Sequence, residues 1–307
     1  MENIIAPDGV KITYMDTGVG ELAGGGALPA IVFLHGIFGS SQEWRKIIRA
    51  LPEAYRCIAI DMRGHGASEA KDGFDVEHYA GDLETVLAGL GLEDIVLVGF
   101  SLGALTIFEY IARYGTRRLK KVVIGDITPK MVSDAEWHFG MYRGEYGEED
   151  FALHLQGDVI DFNREAAYFF YRDFRRPPRR GRPYRTAAPL WCRIAERLIF
   201  GKSPELKNLI YELFKSACLL DHRETLARID VDTACFYADP GSLFTPDTAF
   251  YIAEHIPGDT VLVPFHGASH LLMTKPPTRF ARELLRFVKR PESDRQRILS
   301  SGRSGPR

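Results

Sequence analysis

The chain has 307 residues, 39 lysines and arginines against 41 aspartates and glutamates, and a formal net charge of −2. Hydrophobic residues make up 45% and charged residues 26%, the composition of a globular protein with a large core and not of a disordered or collagen-like chain. No basic excess favours nucleic acid or an anionic membrane, and the four scattered cysteines form neither a disulfide framework nor a zinc motif.

Glu2–Ala6 and Lys11–Asp16 flank the turn residues Pro7-Asp8-Gly9 and read as a hairpin. The first residues carry neither the basic region nor the apolar run of a secretory signal, so a cytoplasmic protein is expected. Leu22–Pro29 is Gly-rich and reads as a loop. Ile31–Leu34 is a continuous apolar run, as a strand covered on both faces requires. Trp44, Ile47, Ile48 and Leu51 have helical spacing and predict a helix over Ser40–Leu51. Cys57–Ile60 is a second buried strand. Tyr79, Leu83, Val86, Leu87 and Leu90 form a helical stripe that ends at Gly91. Ile95–Phe100 is a third strand, Leu102–Arg113 a helix stopping at Gly115, and Val122–Ile124 a fourth strand. The most apolar uncharged run, Ile95–Phe108, is too short to cross a bilayer.

Strands alternating with helices imply right-handed crossovers and a mostly parallel sheet. From about Met131 to Asp221 no strand-like run occurs. The rhythm returns at Ala234–Tyr237, Thr248–His255, Val261–Val263 and Pro277–Val288. The expected organisation is an α/β core at 1–129 and 226–290, a helical insertion at 130–225, and a flexible tail at 291–307.

Gly99-Phe100-Ser101-Leu102-Gly103 lies where an apolar strand runs into a helix, the context of a nucleophile elbow. Such a turn exposes the Ser101 hydroxyl at a helix N-terminus, where negative charge is favoured. A serine nucleophile needs a base. His270, in His266-Gly267-Ala268-Ser269-His270 after the last strand, is the candidate, with His266 the weaker one. An oxyanion needs two N–H donors: Leu102 supplies one, and the loop His35-Gly36-Ile37-Phe38-Gly39 supplies the other from Ile37, or in its place Phe38.

With HGIFGS at 35–40, DMRGHGAS at 61–68, GFSLGA at 99–104 and GASH at 267–270, the sequence resembles the α/β-hydrolase superfamily from about Met1 to Arg290. The resemblance implies an α/β-hydrolase fold, a mostly parallel sheet with helices on both faces and a helical cap insertion. In DMRGHGAS it implies a structural stretch, so Asp61 and His65 receive no chemical role. The third triad member departs from the common pattern. Counted back from Pro246, the usual acid position falls on Ser242. Asp239 lies three residues earlier in the same loop. Asp126 ends the preceding strand in Gly125-Asp126-Ile127-Thr128-Pro129, a stretch similar to that of small bacterial esterases that take their acid there. Asp126 is preferred and Asp239 is the alternative.

The insertion holds 16 of the 35 aromatic residues between Lys130 and Thr225, enough for its own core and for an apolar pocket above Ser101. It also carries FRRPPRRGRPYR at 174–185, a solvated loop or an anion site at the pocket mouth. The expected activity is that of a serine hydrolase acting on a carboxylic ester, thioester or lactone, with no metal or organic cofactor required. Its partner would be a small molecule with an apolar or aromatic acyl part, with neither nucleic acid nor membrane involved. The alternatives are a non-hydrolytic reaction on the same residues, such as C–C cleavage, elimination or perhydrolysis, and a non-catalytic ligand receptor.

Overall fold

The apolar runs become the strands of one eight-stranded sheet: β1 Glu2–Ile5, β2 Lys11–Asp16, β3 Ala30–Leu34, β4 Arg56–Asp61, β5 Ile95–Phe100, β6 Leu119–Gly125, β7 Asp232–Asp239 and β8 Thr260–His266. This is a computed structural model, and the residues it describes are 1–21, 25–156, 204–241, 243–274 and 277–291. The strand order is β1-β2-β4-β3-β5-β6-β7-β8. β2 runs antiparallel to both its neighbours, and every pair from β4 to β8 is parallel.

Both faces of the central strands are covered, which is why β3 and β5 read as unbroken apolar runs. Alternate residues enter opposite cores. Val32, Leu34 and Leu97 pack into the cluster that also holds Leu83 and Val86 of α2 (Val76–Gly89) and Ile107 and Phe108 of α3 (Leu102–Tyr114). Ile31, Phe33, Val96 and Val98 enter the other cluster, with Trp44, Ile47 and the last helix, Pro277–Val288, through Phe280, Leu284 and Phe287.

Two local outcomes differ from the sequence expectation. The helix expected over Ser40–Leu51 is split into a 3-10 turn, Ser41–Trp44, and one α-turn, Arg45–Ile48, although Trp44, Ile47 and Leu51 are buried as their spacing predicts. The Ser41 N–H donates to the Asp61 carboxylate (2.6 Å), which fixes the start of this segment from outside the helix. β6 is longer than Val122–Ile124 because it includes Lys121, whose charge hides the strand in the sequence. Lys121 is 1% exposed, and its ammonium donates to the carbonyls of Phe287, Val288 and Arg290 at the C-terminal end of the last helix. His270 lies four residues past the end of β8, in the loop before the last helix, after the last strand as the sequence indicates.

Between β6 and β7 the described residues form helices, among them Glu148–Gln156 and Pro204–Leu219, and isolated bridges but no strand. Trp137, Tyr142 and Tyr146 of this stretch are buried, and Trp137 stacks edge-on against Tyr251 of the core at 4.8 Å. These aromatics serve packing. The remaining aromatics at 157–203, the arginine-rich 174–185 segment and the tail at 292–307 lie outside the described residues. No described helix is long and apolar enough to cross a membrane.

Candidate active site

β3 and β5 are neighbours, with Leu34 opposite Gly99, while the chain leaves β3 toward β4 on the other side. Their carboxyl ends therefore frame a crevice where the strand order reverses, the position at which open α/β sheets place a ligand. The loop after β3 carries Ile37, the turn after β5 carries Ser101, Asp126 directly follows the end of β6, and the loop after β8 carries His270.

Ser101 adopts φ 52 and ψ −117, a conformation a side chain rarely accepts. Its N–H still completes the sheet by donating to Gly125 O at 2.8 Å, and the next residue begins α3. The chain thus changes from strand to helix at one residue. Two glycines make room for that. A Cβ on Gly99 would lie 2.5 Å from Gly103 O, and one on Gly103 would lie 2.3 Å from Leu34 O. The glycine pattern therefore reflects backbone contact among β3, β5 and α3.

The Ser101, His270 and Asp126 side chains form one hydrogen-bonded row. His270 Nε2 lies 3.0 Å from Ser101 Oγ, and His270 Nδ1 lies 2.6 Å from Asp126 Oδ2. The other carboxylate oxygen of Asp126 accepts the Ala238 N–H at 3.0 Å, and the Asp126 N–H donates to Phe236 O. Asp126 is thereby held against β7. All three residues are buried, at 7%, 2% and 5% exposure for Ser101, His270 and Asp126. Phe100 and Phe244 pack on the His270 ring at 5.0 and 5.8 Å.

Asp239 is directed elsewhere. In the sheet register it is opposite His266, and its carboxylate meets His266 Nδ1 at 2.6 Å in an exposed pair. The two aspartates and two histidines left open by the sequence are thus sorted into a buried pair beside Ser101 and an exposed pair.

The loop Gly36–Gly39 is fixed by two histidines. Gly36 O accepts from His35 Nδ1 at 2.7 Å and from the Gly39 N–H at 2.9 Å. In a trans peptide this turns the Ile37 N–H the opposite way. His35 Nε2 in turn accepts the Met62 N–H, so the ring is the neutral Nδ1–H tautomer, and complete burial lowers its pKa to about 3. His65 Nε2 lies 2.6 Å from Ile37 O. Asp61 accepts from the Ser41 and Ala67 N–H groups, and Arg63 forms a buried bidentate pair with Asp82. DMRGHGAS is therefore the support of the Ile37 loop. Sequence reasoning left His35 and His65 without a part in the site, because histidines that bind carbonyls and histidines that move protons look alike in a chain. Among the described residues, neither the Ile37 nor the Leu102 N–H has a hydrogen-bond acceptor, and the two follow the carboxyl ends of the neighbouring strands β3 and β5.

This fold and this row of residues define a class. The family model described as alpha/beta hydrolase fold matches residues 29–276, and the chain belongs to the α/β-hydrolase family as an enzyme of that type. A non-heme haloperoxidase of Rhodococcus erythropolis is 30% identical over 295 residues, covering 94% of this chain and 99% of that protein. A bifunctional esterase/perhydrolase of Acinetobacter calcoaceticus is 36% identical over 138 residues, 44% of this chain and 48% of its own length. An esterase structure from Exiguobacterium antarcticum superposes with a TM-score of 0.74 at 22% identity, covering 94% and 99% of the two chains, and shows the same fold.

Proposed function

We propose that the protein is a serine hydrolase cleaving carboxylic ester-type bonds through an acyl-enzyme on Ser101. The observation that carries this reading is the buried row Ser101–His270–Asp126 at the N-terminus of α3, with 3.0 and 2.6 Å separations. His270 Nε2 takes the Ser101 proton as Oγ attacks the acyl carbon, while Asp126 accepts from Nδ1–H and stabilises the imidazolium. The Ile37 and Leu102 N–H groups receive the oxyanion, and a lost donor of this kind costs about 10²–10³ in kcat. His270 then protonates the leaving alcohol. Water, losing its proton to His270, attacks the acyl-enzyme, and His270 returns that proton to Ser101 Oγ as the acid leaves. None of these steps calls on a metal or an organic cofactor.

The test is steady-state hydrolysis of p-nitrophenyl esters of increasing acyl length, together with labelling by a fluorophosphonate. Turnover with an initial burst, and labelling that disappears in Ser101→Ala, are expected. An unlabelled, inactive but folded wild type would favour the receptor reading. The names of the two relatives favour a second activity on the same intermediate. Hydrogen peroxide attacking the acyl-enzyme in place of water would release a peracid and regenerate Ser101. Peracid formation from a short carboxylic acid and hydrogen peroxide, absent in Ser101→Ala, measures it.

A further inference from the structure

Behind Asp126, the helix Pro246–His255 carries a polar group that the mechanism above does not use. Thr248 is 2% exposed, and its hydroxyl has no hydrogen-bond partner among the described residues. A buried hydroxyl without a partner is costly, and valine would fill the same shape without that cost. Thr248 lines a cavity of about 10 Å³ together with Asp126, Thr245, Tyr237 and Phe244. That space admits the centre of one water molecule, and its walls offer the two or more polar partners a buried water needs. Asp126 accepts one N–H on each carboxylate oxygen, from Ala238 and from His270, which leaves lone pairs for a further donor.

We propose that a single ordered water fills this cavity, accepting from the Thr248 hydroxyl and donating to the Asp126 carboxylate, so that Thr248 is a positioning residue for the reaction. The water limits rotation of a carboxylate that must stay aligned with His270 Nδ1, and it spreads the carboxylate charge over a third donor. This inference rests on Asp126 being the acid of the proposed triad.

Two substitutions at Thr248 separate the hydroxyl from the methyl group. Thr248→Val keeps the shape and removes the donor. It is expected to lower kcat roughly fivefold to tenfold at unchanged KM and to lower Tm. Thr248→Ser keeps the donor and is expected to restore most of that loss. A high-resolution crystal structure should show the water within hydrogen-bond distance of Thr248 Oγ1 and an Asp126 oxygen. A dry cavity, or a Thr248→Val enzyme with raised Tm and full kcat, would overturn the proposal, since that is how an idle unpaired hydroxyl behaves. So would a Ser variant worse than the Val variant, which would mark a packing role for the methyl group. Asp126→Asn is measured beside them. If it is nearly inactive while Thr248→Val is fully active, only the water bridge fails. If Asp126→Asn is fully active, the triad reading fails and the bridge with it.

Discussion

The two aspartates show how much a few ångströms at a strand end decide. Asp126 directly follows β6 and Asp239 ends β7 of the same sheet, yet of the two only Asp126 reaches His270, at 2.6 Å. Its backbone N–H continues the ladder to Phe236 and its carboxylate takes the Ala238 N–H, so its direction is set by β7. Asp126→Asn should therefore lower kcat by about 10³–10⁴-fold, because an amide stabilises neither the required tautomer nor the imidazolium. Asp239→Asn, which alters an exposed pair with His266, should leave kcat within severalfold. Comparison of kcat with folded content by circular dichroism checks both, and equal losses would remove Asp126 from the proposed role. Ser101 itself, at φ 52, sits in backbone strain on the order of 1–3 kcal/mol that the surrounding sheet must offset.

The site is a set of strand ends, so its precision depends on how closely the elements approach. α3 lies on β3 through Gly103, whose missing side chain leaves no space: a Cβ would sit 2.3 Å from Leu34 O. Backbone, not a movable side chain, blocks it. Gly103→Ala should push α3 and Ser101 off the sheet, costing roughly 1–3 kcal/mol of stability and tenfold or more in kcat. Denaturant unfolding and kinetics read the two effects separately, and an active, fully stable variant would contradict the close approach. At the opposite end of the sheet, Lys121 holds three carbonyls at the C-terminus of the last helix. Lys121→Met should destabilise the fold by roughly 2–4 kcal/mol, since those buried acceptors lose a charged donor. Lys121→Arg, retaining the charge, should recover part of this in the same unfolding assay. The apolar strands and helices were legible in the sequence because burial on one or both faces imposes a period. The ends of β6 were not, because Lys121 satisfies its charge through contacts 166 or more residues away.

Stability of the whole molecule carries a signature of the buried histidine loop. His35 is held neutral with its pKa lowered to about 3 by burial, against 6.5 for an ordinary histidine. Above pH 6.5 neither the folded nor the unfolded form binds this proton, and the folded state bears no penalty. Below 6.5 the unfolded chain takes the proton and the folded one does not, so stability falls with pH by about 1.4 kcal/mol per unit down to about 3. Unfolding at pH 7.5 and 5.0 should show wild type losing about 2 kcal/mol more than His35→Asn over that interval. Equal losses would mean that His35 is not the group being titrated.

At this scale the division between sequence and tertiary structure is physical. The alternation of apolar strands and helices, the glycines around Ser101 and the order of Ser101 and His270 along the chain determined the α/β class and the chemistry to look for, because periodicity and turn geometry are local properties. Which aspartate meets His270, and why Asp61, His35 and His65 belong to the support of the Ile37 loop, were decided only by strand order and register. Asp239 is opposite His266, and Asp126 lies beside β5 and against β7, because β6 was inserted between them in the sheet. Hydrogen bonds between residues 20 to 169 positions apart leave no spacing in a sequence; they exist only once the sheet has brought the strands and their following loops together.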